Sequence, residues 1–246
     1  MNSRNTSAGH AMKFFIWSIA FAACGAGPLA SAYAAVAPPA ETSIALLSKI
    51  ILDVSRREAG KEWEKAKRGE TLGSGDMVKT GEKSIAIIKF KDNSLVRVRE
   101  SSELTVTGTL KGNAFSKSVD IENGVVGFNI KKQGTEEEFR FTSPTSVASI
   151  RGTGGLFAVA DTSDTLTIID GAGTMTNRNS RTAVDVQAGF TGISNHDGTI
   201  QSRPSTPEER RAAEDAVKTG EQQRKLELEL RDSQGKTKQL RIDFNE

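Results

Sequence analysis

The sequence predicts an all-β fold: many short strands forming a solenoid- or sandwich-like domain, followed by a short helix and a C-terminal β-hairpin. Three observations predict it. From about residue 45, apolar and polar residues alternate with period two in run after run. Glycines interrupt these runs too often for a helix, as in KRGETLGSGDMVKTG, where Gly69, Gly73, Gly75 and Gly81 crowd one stretch. Only STPEERRAAEDAVKTG carries a full set of helix start and stop signals.

Ahead of the strands, Arg4 and Lys13 precede an apolar run from Phe14 to Cys24, and small residues lead to Ala32-Tyr33-Ala34. This order reads as a signal peptide over 1–34, cleaved after the A-x-A site, because the apolar run is too short to span a bilayer. Two alternatives stand beside it: lipoprotein processing at Cys24 in FAACG, where acyl chains would anchor the mature chain, and an uncleaved anchor helix. Residues 35–44, with Pro38 and Pro39, read as a linker. The β domain is expected over 45–202 and the helix with its hairpin over 203–246. A periplasmic or secreted location is expected, with no transmembrane helix in the mature chain.

Removing the signal peptide changes the chemistry open to the chain. The full sequence has 33 basic and 31 acidic side chains; without Arg4 and Lys13 the two signs balance. No net field remains to attract a polyanion, so nucleic acid is not an expected partner. Cys24, the one cysteine, also goes, leaving no thiolate for catalysis or for zinc. His196 becomes the sole histidine, in the polar turn SNHDGT, where it reads as an exposed loop residue.

Along the domain, IILDVSRRE is a strand-like run, followed by a turn at Ala59-Gly60 and a run containing Trp63. SIAIIKFKDNSLVRVRES reads as a β-hairpin. Ala86, Ile88 and Phe90 share one face, Val96 and Val98 continue it, and Asp92-Asn93 supply the tight turn. Lys89, Lys91, Arg97 and Arg99 are expected together on the exposed face. Further runs are expected at 104–109, 117–122, 125–130, 138–142, 147–151, 156–160, 164–169, 173–177 and 183–187. Thr206 then caps a helix, with Pro207 in the first turn, Glu209 closing a capping box and Gly220 ending it. Its apolar face holds only alanines and Val217, so weak cover of the core, or a spacer, is expected. KLELELRDSQGKTKQLRIDF reads as a second hairpin broken by Asp232 to Lys236. Leu226, Leu228, Leu230, Leu240, Ile242 and Phe244 form an apolar stripe, a candidate docking surface because two strands are marginal alone.

SVASIRGTGGLF puts Arg151, Gly152, Thr153, Gly154 and Gly155 in a row. A phosphate loop needs a helix behind its glycines, but the residues behind these are LFAVADTSDTLTIID, with strand character and no helical period. The stretch therefore reads as a structural turn or bulge, with Arg151 partnered by backbone or carboxylate groups. The acidic cluster Glu136-Glu137-Glu138 reads as a solvated loop. No catalytic residue, metal ligand or cofactor site is assigned.

AKRGETLGSGDMVKTGEKSIAIIKFKDNSLVRVRESSEL, IENGVVGFNI and FTSPTSVASIRGTGGLFAV occur in an order and spacing that resemble the FecR domain family, over roughly residues 48–195. Asn93 stands where a glycine is common, and Gly154-Gly155 lengthens the loop before the aromatic strand. The family's iron-uptake regulators carry an anti-sigma segment and a transmembrane helix ahead of this domain; this chain resembles exported, stand-alone members. The resemblance implies a non-enzymatic cell-envelope protein that senses a signal or makes protein contacts. Alternatives are a binder of peptidoglycan or another acidic envelope polymer, through the four cations, and a disfavoured hydrolase. The partner is expected to be an envelope protein or cell-wall polymer.

Overall fold

Alternating runs become strands because each can bury one face and offer the other to water. The computed structural model describes residues 43–111, 114–134, 137–218, 223–231 and 237–245, with side chains described over 43–110, 115–134 and 137–218. The expected signal peptide, and all but the end of the linker, lie outside these residues.

Strands β1 (Ala45–Ile51), β2 (Val54–Arg57), β3 (Glu64–Lys65), β4 (Thr71–Leu72) and β5 (Asp76–Thr80) lead to β6 (Ile85–Phe90) and β7 (Leu95–Val98). Next come β8 (Glu103–Lys111), β9 (Ala114–Ile130), β10 (Phe139–Thr142), β11 (Ser146–Ile150), β12 (Thr153–Val159) and β13 (Ser163–Asp170). β14 (Ala172–Asn177), β15 (Ala183–Gln187), β16 (Phe190–Asn195) and β17 (Ile200–Pro204) complete the body. Helix α1 (Pro207–Lys218) comes after them, and then strands β18 (Gln223–Arg231) and β19 (Thr237–Asn245).

The ladders sort β1 to β17 into two layers that share β9. Layer A runs β4-β1-β6-β7-β9-β12-β13-β16-β17 and is antiparallel. Layer B runs β3-β2-β5-β8-β9-β10-β11-β14-β15, with β9–β10 its parallel pair. Later hairpins alternate: β10–β11 extend layer B, β12–β13 layer A, β14–β15 layer B and β16–β17 layer A. The arrangement is a sandwich in its layers and solenoid-like in its winding.

The runs expected at 117–122 and 125–130 are one 17-residue strand. Its first half pairs with β8 in layer B and its second with β7 and β12 in layer A. The bend falls at Gly124, where φ is +108° and a Cβ would lie 2.1 Å from the Ser102 hydroxyl oxygen. Only glycine meets both conditions.

Between the layers the side chains interdigitate. Phe90, Phe128 and Phe157 from layer A meet Phe139 and Phe141 from layer B, with ring centroids 4.8 to 6.0 Å apart. All five are buried, and each removes on the order of 150 Å² or more from water. One buried carboxylate also bridges the layers. Asp164, on β13, accepts hydrogen bonds from the hydroxyls of Ser143, Thr145 and Ser146, the latter two at 2.6 and 2.7 Å. The FTSPTS turn is thereby fastened to the opposite layer.

The hairpin expected here is β6–β7, with Ala86 paired with Val98 and Ile88 with Val96. Asn93 takes φ +63° at its tip, as its place in the turn implies. SVASIRGTGGLF is β11, a turn at Arg151-Gly152, and β12, so the turn carries the chain from layer B to layer A. The pairing with β13 slips between Gly154 and Gly155, and the extra residue is Ile169 on β13. Gly155 is the glycine that packing demands, since a Cβ there would lie 2.3 Å from the Thr167 carbonyl oxygen.

Helix α1 begins as its capping signals predict. The Thr206 amide donates to Glu209 Oε2 at 2.8 Å, and the Glu209 amide donates to Thr206 Oγ1 at 3.2 Å. Arg203 grips the same carboxylate with two hydrogen bonds, of 2.8 and 2.9 Å, and Thr191 Oγ1 donates to it at 3.1 Å. The small residues that promised weak cover instead allow close contact. Ala213 and Ala216 are fully buried, and a Cβ on Gly127 would lie 2.4 Å from the Ala216 carbonyl oxygen. Thus α1 is a strap across the outer face of layer A.

That strap corrects one expectation. Arg97 pairs with Gly127, on which the last turn of α1 rests, and is 2% exposed. Arg99 is half-buried, while Lys89 and Lys91 are exposed. The four cations do not form one exposed face.

The strap has two testable consequences. Gly127→Val should force α1 away from the sheet and destabilise the protein by roughly 1–3 kcal/mol, the cost of overpacking. Hydrogen exchange should show faster exchange over 207–218, and unchanged protection there would contradict the packing. The hydrogen bond from Arg203, joined by those from the Thr206 amide and Thr191 and by the Arg203 charge, outweighs burial and holds the Glu209 pKa at about 2, below its ordinary 4.5. A depressed carboxylate stabilises the fold above its ordinary pKa and loses that contribution as pH falls through its folded value. Denaturant melts should therefore show wild type more stable than Glu209→Gln by about 1–2 kcal/mol at neutral pH, with the gap closing between pH 4.5 and 2.

Candidate functional site

The outer face of layer B is built from short polar side chains because the pleat sends every second residue outward. Ser149 of β11, Thr174 of β14 and Asp185 of β15 are paired across neighbouring strands, so their side chains stand side by side. Ser149 Oγ donates to Glu138 Oε1 at 2.6 Å, and Thr174 Oγ1 donates to Asp185 Oδ1 at 2.9 Å. Arg140 completes an ion pair with Glu138. These side chains are short and fixed to one another, so the surface between them is concave.

The result is an open groove of about 540 Å³ beside the Arg151-Gly152 turn. Glu137 and Glu138 line one part and Ser149, Thr174 and Asp185 the floor, while Arg151 and Gln187 join Ile150, Ala172 and Gly173 around the remainder. Arg151 is exposed and has no hydrogen-bond or ion-pair partner among the described residues. The expectation that it serves a structural partner is thus not met within those residues. It is a cation left available at a groove otherwise rich in carboxylates and hydroxyls.

The electrostatics suit binding better than proton transfer. The hydrogen bond from Arg140 is the main cause holding the Glu138 pKa below its usual value; the bond from Ser149 and the Arg140 charge add to it, and burial opposes it. A general acid needs displacement in the other direction. His196 is exposed on the turn after β16, outside the residues that line the groove. Among the described residues no three His, Cys, Asp or Glu side chains are grouped to hold a metal ion.

The sequence-predicted candidates fall elsewhere. Lys89 and Lys91 are exposed on and just beyond β6, in layer A. The candidate stripe lies on β18 and β19, where Leu226 is paired with Ile242 and Leu228 with Leu240; Leu230 is paired with Lys238 and Phe244 with Arg224. The side chains of that hairpin lie outside those described. Sequence reasoning missed the groove because its members are scattered from 137 to 187 and meet only through layer B. A signal was present in the alternation of SVAS, GTMT and AVDVQ, which places Ser149, Thr174 and Asp185 on the outward face of three strands.

Comparison with known proteins bears on the body of the fold. Residues 76–174 match the family model described as FecR protein. This segment is a FecR domain. It spans β5 to the first half of β14, and so includes the turn that carries Arg151. No curated protein matches the chain. Two crystal structures of a "putative anti-sigma factor" from Parabacteroides distasonis align with it, each at 11% identity and a TM-score of 0.48. Each alignment covers 60% of this chain and 66% of that one, so the chain spans just under two thirds of its neighbour's length. Among the described residues no helix is long and apolar enough to cross a membrane.

Proposed function

We propose that the protein is an exported, non-enzymatic FecR-domain module of a bacterial cell envelope, which senses or relays a signal by binding another protein. The FecR match supports the signal-sensing part, since domains of this family are commonly periplasmic and regulatory. The observation that carries the protein-binding part is the layer B groove, where Arg151 stands available beside Glu138, Thr174 and Asp185. A groove with both charges and several hydroxyls, beside apolar surface from Ile150 and Ala172, suits a peptide segment held mainly by charge and hydrogen bonds. The polymer reading rested on four cations acting together; with Arg97 buried, only Lys89 and Lys91 remain fully exposed to carry it.

A photo-cross-linking residue at Thr174, compared with one at Lys89, tests this in intact cells. The groove position should give a discrete cross-linked protein, weakened about tenfold by Arg151→Glu, equivalent to about 1.4 kcal/mol. Changing Lys89 and Lys91 to serine should leave that product unchanged. Products insensitive to Arg151→Glu would reject the groove. Salt-dependent sedimentation with cell wall that is lost in the lysine variants would favour the polymer reading. The mature N-terminus, read by mass spectrometry, tests export: a chain starting near Ala35 is expected, and a lipid-bearing Cys24 would mean an anchored form.

A further inference from the structure

Period-two alternation in FSKSVDI puts Lys117 on the same side of β9 as Val119 and Ile121, the side that faces the core. The structure places it there. Lys117 is 4% exposed, paired in register with the fully buried Phe139, and its Nζ lies 5.9 Å from the Phe115 ring. A buried lysine needs partners, and it has two. Lys117 Nζ donates to Asp92 Oδ2 at 2.9 Å and to Gln133 Oε1 at 2.8 Å. Gln133 is also 4% exposed, and its Nε2 donates to the same Asp92 Oδ2 at 2.9 Å. One carboxylate oxygen thus bridges an amine and the amide nitrogen of a side chain whose carbonyl the amine already touches.

We propose that Lys117 and Gln133 become joined by an internal isopeptide bond, with Asp92 as the proton carrier. Each component is where this reaction needs it. The carbonyl carbon is one bond from the oxygen that Nζ contacts, so amine and amide are held as neighbours in a water-poor site, where effective concentration replaces collision. Burial pushes the Asp92 carboxyl up, but hydrogen bonds from Gln133, the Ser94 amide and Lys117, together with the lysine charge, outweigh it and hold the pKa below its usual value. The resting state is therefore the ion pair, and reaction starts when a proton crosses from Lys117 to Asp92.

The neutral amine then attacks Gln133 Cδ. A bond forms between Nζ and Cδ, and the carbonyl electron pair moves onto Oε1. Asp92 returns its proton to Nε2, the carbonyl re-forms, and the Cδ–Nε2 bond breaks. The second proton shed by Nζ leaves with the departing nitrogen, which is released as ammonium. One amide replaces another, charge is conserved, and no oxidant, reductant or cofactor is required.

The placement gives the cross-link a structural purpose. Lys117 lies near the start of β9 in layer B, and Gln133 comes just after its end in layer A. Gly124 bends the strand between them, so the bond would tie the two layers at the end opposite the bend, near the tip of hairpin β6–β7 where Asp92 sits. A covalent tie there removes conformational freedom from the unfolded chain, as a disulfide would, in a protein whose cysteine lies in the expected signal peptide.

Intact-mass and peptide mass spectrometry of the purified full chain tests the proposal. Wild type should be lighter than its sequence by one ammonia, and digestion should yield a branched peptide joining Lys117 to Gln133. Lys117→Arg and Asp92→Asn should each show the uncross-linked mass. A wild-type chain that keeps its full mass after prolonged incubation at neutral pH would overturn the proposal, whatever the variants do. Ammonia loss mapped to other residues would also overturn it, and a cross-link that persists in Asp92→Asn would remove Asp92 from its role.

Discussion

The fold depends on one strand serving two sheets. β9 supplies the ladder partner for β8 and β10 in layer B, then for β7 and β12 in layer A. Without it each layer would break into two smaller sheets, with open edges on β7 and β12 in layer A and on β8 and β10 in layer B. The bend that makes this possible is set by Gly124, whose positive φ and contact with Ser102 leave no room for a side chain. From this hinge the phenylalanines of both layers converge, and the later hairpins add alternately to each side.

Polar groups then close what the bend leaves open. Where the two ends of β9 come together, buried Lys117 and Gln133 and half-buried Asp92 form a hydrogen-bonded network. The FTSPTS turn is held by Asp164, and the outer face of layer A by Glu209 and the small residues of α1. Buried polar groups of this kind cost desolvation unless satisfied, so they fix one arrangement more than they add stability. A rigid body of this sort can present a groove without reorganising, which reduces the entropy lost on binding.

Much of this was legible in the chain. Alternation located the strands, Asp92-Asn93 the hairpin turn, and Thr206 to Glu209 the helix start, because each depends on local geometry. Arg97 shows the limit. Its outward position on β7 was readable, but its burial depends on a helix more than 100 residues later landing beside it. The split of β9 into two runs failed similarly, since a glycine that bends a strand and one that ends it look alike in sequence. Lys117 carried a readable signal, a charge in phase with core residues, yet Asp92 and Gln133 are brought to it only by tertiary structure. The groove is more distant still, because its floor is assembled from three strands of layer B.

The claim that β9 makes the two layers one cooperative unit is tested most directly by native-state hydrogen exchange in increasing urea. Amides of β6, β7, β12 and β13 in layer A, and of β8, β10 and β11 in layer B, should converge on a single opening with one free energy and one denaturant dependence. Separate openings for the two layers, with different urea dependence, would contradict this: β9 would then not couple them, and the shared strand would not be what holds the fold together.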